Sequence, residues 1–308
     1  MNYCDLHCDT PLEVYLRDVG LDDVGLNVSA QKYGVFEKYV QLAAFCPPES
    51  ISDDDGFELF QKVVENFKKE VSKVDSSVCE DADALEASVK NGQPAFVLTA
   101  EDARILCGDL NRLYTLREAG VRVLTPLWGG ITCIGGSHTS EEGLTPFGRD
   151  VIKECFSIGI IPDVSHASRK SAFEIIDLAS SCGKTVIASH SCAFSVNSHT
   201  RNLTDEEFLG IAETGGIVGV NLYPPHLKGT EADVSDVLDH IRHFISLTGS
   251  SQVALGCDFD GMGTFAKGGE DIGCIPHLAK LFDDAFGKDI SDKILFTNAY
   301  AFLQRHIK

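Results

Sequence analysis

The chain has 308 residues, 44% hydrophobic and 23% charged, the composition of a globular protein with a sizeable core. Its 26 basic and 46 acidic side chains leave a formal charge of −20, which argues against nucleic acid or an anionic membrane as partner. The 11 cysteines show no CxxC pair, and Cys46, Cys192 and Cys257 lie in apolar runs, so free thiols in a reducing compartment are expected. The N-terminal stretch has no basic region and no apolar stretch of signal-peptide length, and no apolar run nears the ~20 residues that span a bilayer. A cytoplasmic protein is the expectation.

Eight short apolar runs read in chain order as strands: 3–9, 39–46, 95–100, 121–127, 158–165, 185–189, 216–222 and 252–257. Between them, 56–74, 110–119, 168–182, 205–214 and 234–248 are patterned as helices with one buried face. Such alternation predicts βαβ units and an α/β fold with parallel strands. Eight runs in this length predict a single (β/α)8 TIM barrel over residues 1–308, with active-site residues at the C-terminal strand ends. A doubly wound open sheet is the competing architecture, but no Gly-rich phosphate loop follows the first run.

The strand ends carry the chemistry. His7 and Asp9 end the first run two residues apart, which places both side chains on one face, able to grip one metal. Glu101 follows the third run, His166 the fifth, His190 the sixth and Asp258 the eighth. Singly, each has an ordinary explanation as a satisfied polar residue or a helix cap. Together, three histidines and three acids at one end of five strands supply ligands and an acid/base for two divalent metal ions, and imidazole with carboxylate suits zinc. Two ions roughly 3.5–4 Å apart activate water and polarise a carbonyl. Glu101 is the candidate bridge and Asp258 the candidate proton carrier.

The segments 5–11 (DLHCDTP), 143–149 (GLTPFGR), 163–166 (DVSH), 189–191 (SHS), 201–202 (RN) and 256–261 (GCDFDG) together resemble the membrane (renal) dipeptidases, zinc peptidases of the amidohydrolase-like barrels. The resemblance runs in order from residue 5 to about residue 273. It implies that His7, Asp9 and Glu101 bind one zinc, and that Glu101 bridges to a second held by His166 and His190. It further implies that Asp258 is the catalytic acid/base and that Arg201 holds the substrate's C-terminal carboxylate. A guanidinium fork suits a planar carboxylate. The implied reaction is hydrolysis of dipeptides, a D-residue being tolerated at the C-terminal position, by a homodimer.

One departure stands out. Mammalian members have a histidine at the end of the fourth strand, where this chain has Trp128, which donates one hydrogen bond and carries no charge. His138, ten residues on, reaches the site only if its loop folds back, which is not expected. The absence of lysine from 121–128 argues against barrels that bridge their metals with a carboxylated lysine. Tyr223, His199 and His226 are expected to line the pocket, and 268–273 to form a lid segment. His240 and His243 read as a solvated helix face. The alternative substrate class is N-acyl amino acids or another small amide. A catalytically dead, metal-stabilised binding protein predicts a lost ligand, and none is lost.

Overall fold

In the computed structural model, which describes residues 1–308, the strands are β1 (Asn2–Cys8), β2 (Lys38–Phe45), β3 (Ser77–Val78), β4 (Ala95–Glu101), β5 (Val123–Thr125), β6 (Ile161–Pro162), β7 (Val218–Val220) and β8 (Val253–Leu255). Every pairing is parallel. Seven strands form one curled sheet in the order β6-β5-β4-β2-β1-β8-β7, and the two-residue β3 pairs with β4 off that path. Parallel neighbours need crossovers, and helices supply them, among them Asp53–Lys73, Asn111–Glu118, Pro146–Ile158, Arg169–Cys182, Asp205–Glu213 and Val237–Thr248. Side-chain oxygens of Thr145, Ser168 and Thr204 accept the first free N–H groups of three of them, Thr204 in a full capping box with Glu207.

The run 185–189 is a correction to the sequence reading. It forms no strand of its own but touches its neighbours through isolated parallel bridges, Asp163↔Ile187 and Ala188↔Val218. Two causes are visible. Pro162 has no N–H to extend a ladder, although its carbonyl still accepts from Ile187 N at 3.1 Å. The segment is also pressed close to β7 and β8: a Cβ at Gly219 or Gly256 would lie 2.0 or 1.7 Å from the Ser189 carbonyl oxygen. Only glycine fits there. Gly256→Ala is therefore expected to destabilise the fold by about 1–3 kcal/mol, as overpacking does, read as a lower urea midpoint at unchanged slope.

Side-chain alternation decides what reaches the site. One buried cluster gathers Cys4 and Leu6, Val40 and Leu42, Ala95 and Val97, Val123, Ile161, Ile187, Ile217 and Ala254 from successive strands and runs of the curl. Continuing these series two residues at a time arrives at Glu101 and Asp258. On β1 the same series would turn His7 away. A bulge prevents it: the register steps from Asp5↔Gln41 to Cys8↔Ala43, three residues against two, so His7 joins the face of Leu6. Asp5 keeps to the other face. There it is fully buried, accepting from Tyr3 Oη, His7 N (2.9 Å), Gln41 Nε2 (3.2 Å) and Cys257 N. A larger cluster of 68 buried residues fills the space between sheet and helices.

Candidate metal and substrate site

Six side chains at or just past strand C-termini converge. Glu101, 3% exposed, divides its two oxygens between two sets of neighbours. Oε2 lies 3.5 Å from His7 Nε2, which is itself 3.4 Å from Asp9 Oδ2. Oε1 lies 3.2 Å from His166 Nε2 and 3.5 Å from His190 Nε2. The side chains fall into groups able to hold a cation: His7, Asp9 and Glu101; Glu101, His166 and His190; and His7, His190 and Asp258. His7 Nε2, Asp9 Oδ1 and Glu101 Oε1 are buried with no hydrogen-bond partner. Buried polar atoms are rarely left so, and lone pairs facing one another across a few ångströms fit a divalent metal.

The surroundings set the charge on these side chains differently. Burial opposes the charge on His7, but Glu101 and Asp9 outweigh it and hold its imidazole well above the usual range. Burial, reinforced by Arg201 and the neighbouring imidazoles, drives His166 and His190 well below it, so both are neutral, as ligands must be. Ser189 gives its proton to Asp163 Oδ2, which leaves its oxygen to accept from His190 Nδ1 at 2.7 Å. The Nε2 lone pair of His190 is thereby aimed at the site. Asp163 also accepts from Thr125 Oγ1 (2.7 Å), Ser165 N (2.9 Å) and Ser189 N (2.9 Å), so one buried carboxylate ties the ends of β5, β6 and the run 185–189 together. Sequence reasoning gave Asp163 and Ser189 no role. The only signal was a buried acid and hydroxyls crowding the same strand ends as the histidines. Two of the six convergent residues, His166 (φ 66°) and an acid, Asp258 (φ 67°), sit in the left-handed region, a strain found where a site is held in place.

Asp258 Oδ1 lies 3.9 Å from His7 Nε2, and its Oδ2 accepts from Asn221 Nδ2 at 3.1 Å. Burial pushes its carboxyl up to about 8; His7 pulls against this, while Asp9 and Glu101 add to it. Arg201 is 3% exposed. Its Nη1 donates to Ser191 Oγ (2.8 Å) and its Nη2 to the His190 carbonyl (3.0 Å), while Nε has no partner and no acid pairs with the group. A buried guanidinium without a counter-charge is costly and invites an anion.

A cavity of about 690 Å³ opens over these groups, lined by Asp9, Glu101, His166 and Asp258 below and by Trp128, His138, His199, Arg201, Tyr223 and His226 around. Volumes of this order take small molecules. Trp128 stacks at 6.1 Å on the His166 ring. The loop after β5 does fold back, contrary to expectation. Bridges Ile131↔Gly136, Gly135↔Leu144 and Ser137↔Ala167 fasten it, and His138 N donates to His166 O at 2.7 Å, which brings its ring 5.8 Å from that of His166. Two further readings need correcting. Residues 268–273 do not line the cavity, whose rim on that side is 260–263; the bridge Asp233↔Lys267 holds the preceding chain down elsewhere. His240 is fully buried rather than solvated, because its ring accepts from Ala193 N (3.0 Å) and contacts Leu227 O (2.9 Å), while His243 pairs with Asp205 at 2.7 Å.

A curled parallel sheet that gathers imidazoles and carboxylates beside a cavity has the build of a metal-binding α/β protein. A family model for the membrane dipeptidases (peptidase family M19) matches residues 1–304. An uncharacterised dipeptidase of Schizosaccharomyces pombe is 30% identical over 246 residues, covering 76% of this chain and 57% of that protein. Dipeptidase tcpJ of Claviceps purpurea is 28% identical over 254 residues, covering 80% and 58%. The chain thus spans somewhat over half the length of these two curated relatives. A metallopeptidase from Rhodobacter sphaeroides, solved with a phosphinate mimic of the dipeptide L-Ala-D-Ala, shares the fold with a TM-score of 0.90 at 23% identity, covering 100% of this chain and 99% of that one. The chain belongs to the membrane dipeptidase family. None of its helices is long and apolar enough to cross a membrane.

Proposed function

We propose that this chain is a dipeptidase that works with two divalent metal ions, zinc by the chemistry of its donors, at the C-terminal strand ends of a closed (β/α)8 barrel. The observation that carries the reading is the division of Glu101, whose one oxygen faces His7 and whose other faces His166 and His190, so that two ligand groups share one carboxylate. Nitrogen and oxygen donors of this kind suit zinc. Barrel closure is supported by the bridges that run from β6 through 187–188 to β7, joining the sheet's two open edges. Two buried clusters that both draw on chain from β1 to near the C-terminus support one domain over residues 1–308, and the free thiols support a reducing, cytoplasmic setting.

Metal ions held there supply Lewis acidity and lower the pKa of water at the site. The chain's own groups do the rest. Arg201, buried and unpaired, holds the dipeptide's carboxylate. Asp258, oriented by Asn221, carries a proton to the departing amine. Trp128, Tyr223 and His199 wall the cavity around the substrate. A clamped carboxylate one residue from the scissile bond favours dipeptides over longer chains. The mimic bound by the Rhodobacter protein supports a D-residue at the C-terminal position.

The test is a panel of dipeptides with L- and D-residues at the C-terminal position, set against N-acyl amino acids, using zinc-loaded and chelator-treated protein. Dipeptide cleavage that is lost on chelation and restored by zinc is expected. Turnover confined to N-acyl amino acids or other small amides would move the assignment to that class. No turnover at all by protein carrying two zinc equivalents would make it a binding protein.

A further inference from the structure

We infer that His226 is a second recognition residue for the substrate's carboxylate, its imidazole N–H donating to one carboxylate oxygen while Arg201 holds the other. The inference rests on the dipeptidase reading above and sharpens its account of the leaving group.

His226 lies in the short helix Pro224–Leu227 that follows β7; it is 8% exposed and lines the cavity. Its Nδ1 is buried with no hydrogen-bond partner. That is unusual for an enclosed imidazole, and His240 of the same protein shows the ordinary solution, with both ring nitrogens engaged. With Nδ1 sealed in the wall, Nε2 is the nitrogen left to a ligand. Burial and the adjacent Arg201 charge push this imidazole down to about 2, so it is neutral and has one N–H to give.

The backbone around it is fixed to the arginine's own loop. The His226 carbonyl accepts from Asn197 Nδ2 (3.0 Å) and Asn202 Nδ2 (2.8 Å), two amides that flank Arg201 in sequence. Pro224 and Pro225 stiffen the approach. Tyr223 packs edge-on at 4.8 Å and His199 lies 4.9 Å away, so the ring is held between two neighbours. Arg201 has two nitrogens already committed to Ser191 and His190, which leaves it short of a full fork for a carboxylate. A second donor in the wall of the same cavity completes the grip. It also makes both ends of the carboxylate site donors, so a carboxamide must turn its NH2 toward one of them.

The experiment compares L-Ala-D-Ala with its C-terminal amide, each as substrate and as competitor, on wild type, His226→Phe and His226→Gln. For His226→Phe, KM for the free acid should rise, and the acid-to-amide ratio of kcat/KM fall, by about 10- to 100-fold, the worth of one hydrogen bond to a charged group. Its kcat should change little. His226→Gln, which keeps a donor, should recover most of the preference. A wild-type ratio in His226→Phe, or equal losses for acid and amide in both variants, would overturn the inference and leave a packing role. Wild-type protein that cleaves no dipeptide would remove the dipeptidase reading and this inference together. Cleavage with an unchanged ratio removes this inference alone.

Discussion

Glu101→Ala should abolish dipeptide hydrolysis and strip metal from the site in one step. Glu101 is the residue common to the groups His7–Asp9 and His166–His190, and its two oxygens face them separately. On the proposed reading, removing it would take a ligand from both ions and leave His7 without the carboxylate that raises its imidazole most. The expected loss in kcat/KM is at least about 10³-fold, the several kcal/mol that metal ions contribute to charge stabilisation. Bound zinc, measured by plasma emission on dialysed protein, should fall from two equivalents to one or fewer. Two tightly held equivalents in active Glu101→Ala protein would show that the ions sit elsewhere.

Asp258→Asn separates proton transfer from metal binding. The asparagine keeps the shape and the contact to Asn221 but can neither take nor give a proton at neutral pH. Loss of a positioned acid/base costs about 10²- to 10⁴-fold, and the loss should appear in kcat with KM nearly unchanged. Asp258 also stands within reach of His7 and His190 as a potential ligand. Metal content therefore decides its role: two zinc equivalents with kcat depressed mark a proton carrier, whereas loss of one equivalent marks a ligand.

Much of this was legible in the sequence because the signals were local. Seven of the eight apolar runs carry strands, since a run buried on both faces must be continuously apolar. The six charged or imidazole residues at run ends meet because parallel strands all finish at one side. What escaped notice depended on distant partners. The dipeptide Ser77-Val78 is too short for any periodicity, and only its partner Phe96 makes it a strand. His138 reaches the cavity through bridges to Ala167 and within its own loop, which no spacing in 129–145 announces. His240 has the pattern of an exposed pair with His243, yet the carbonyl of Leu227 and the amide of Ala193 draw it inside. Asp163 read as part of a motif, and its work in orienting His190 through Ser189 needs coordinates to be seen.

The pairing of β1 with β8, Asp5 against Leu255 and Cys8 against Phe259, has a kinetic meaning. His7 and Asp9 come from one end of the chain's path and Asp258 from near the other, so one of the longer loops in the fold closes beside the candidate metal site. Contacts of such high sequence separation form late and slowly. During synthesis His7 and Asp9 emerge early, yet Asp258 joins them only when the eighth strand docks. A partly made chain thus carries candidate metal ligands but lacks the acid that faces them, so activity becomes a report that folding has finished. The same seam should govern ageing of the protein: separation of β1 from β8 would draw Asp258 away from His7.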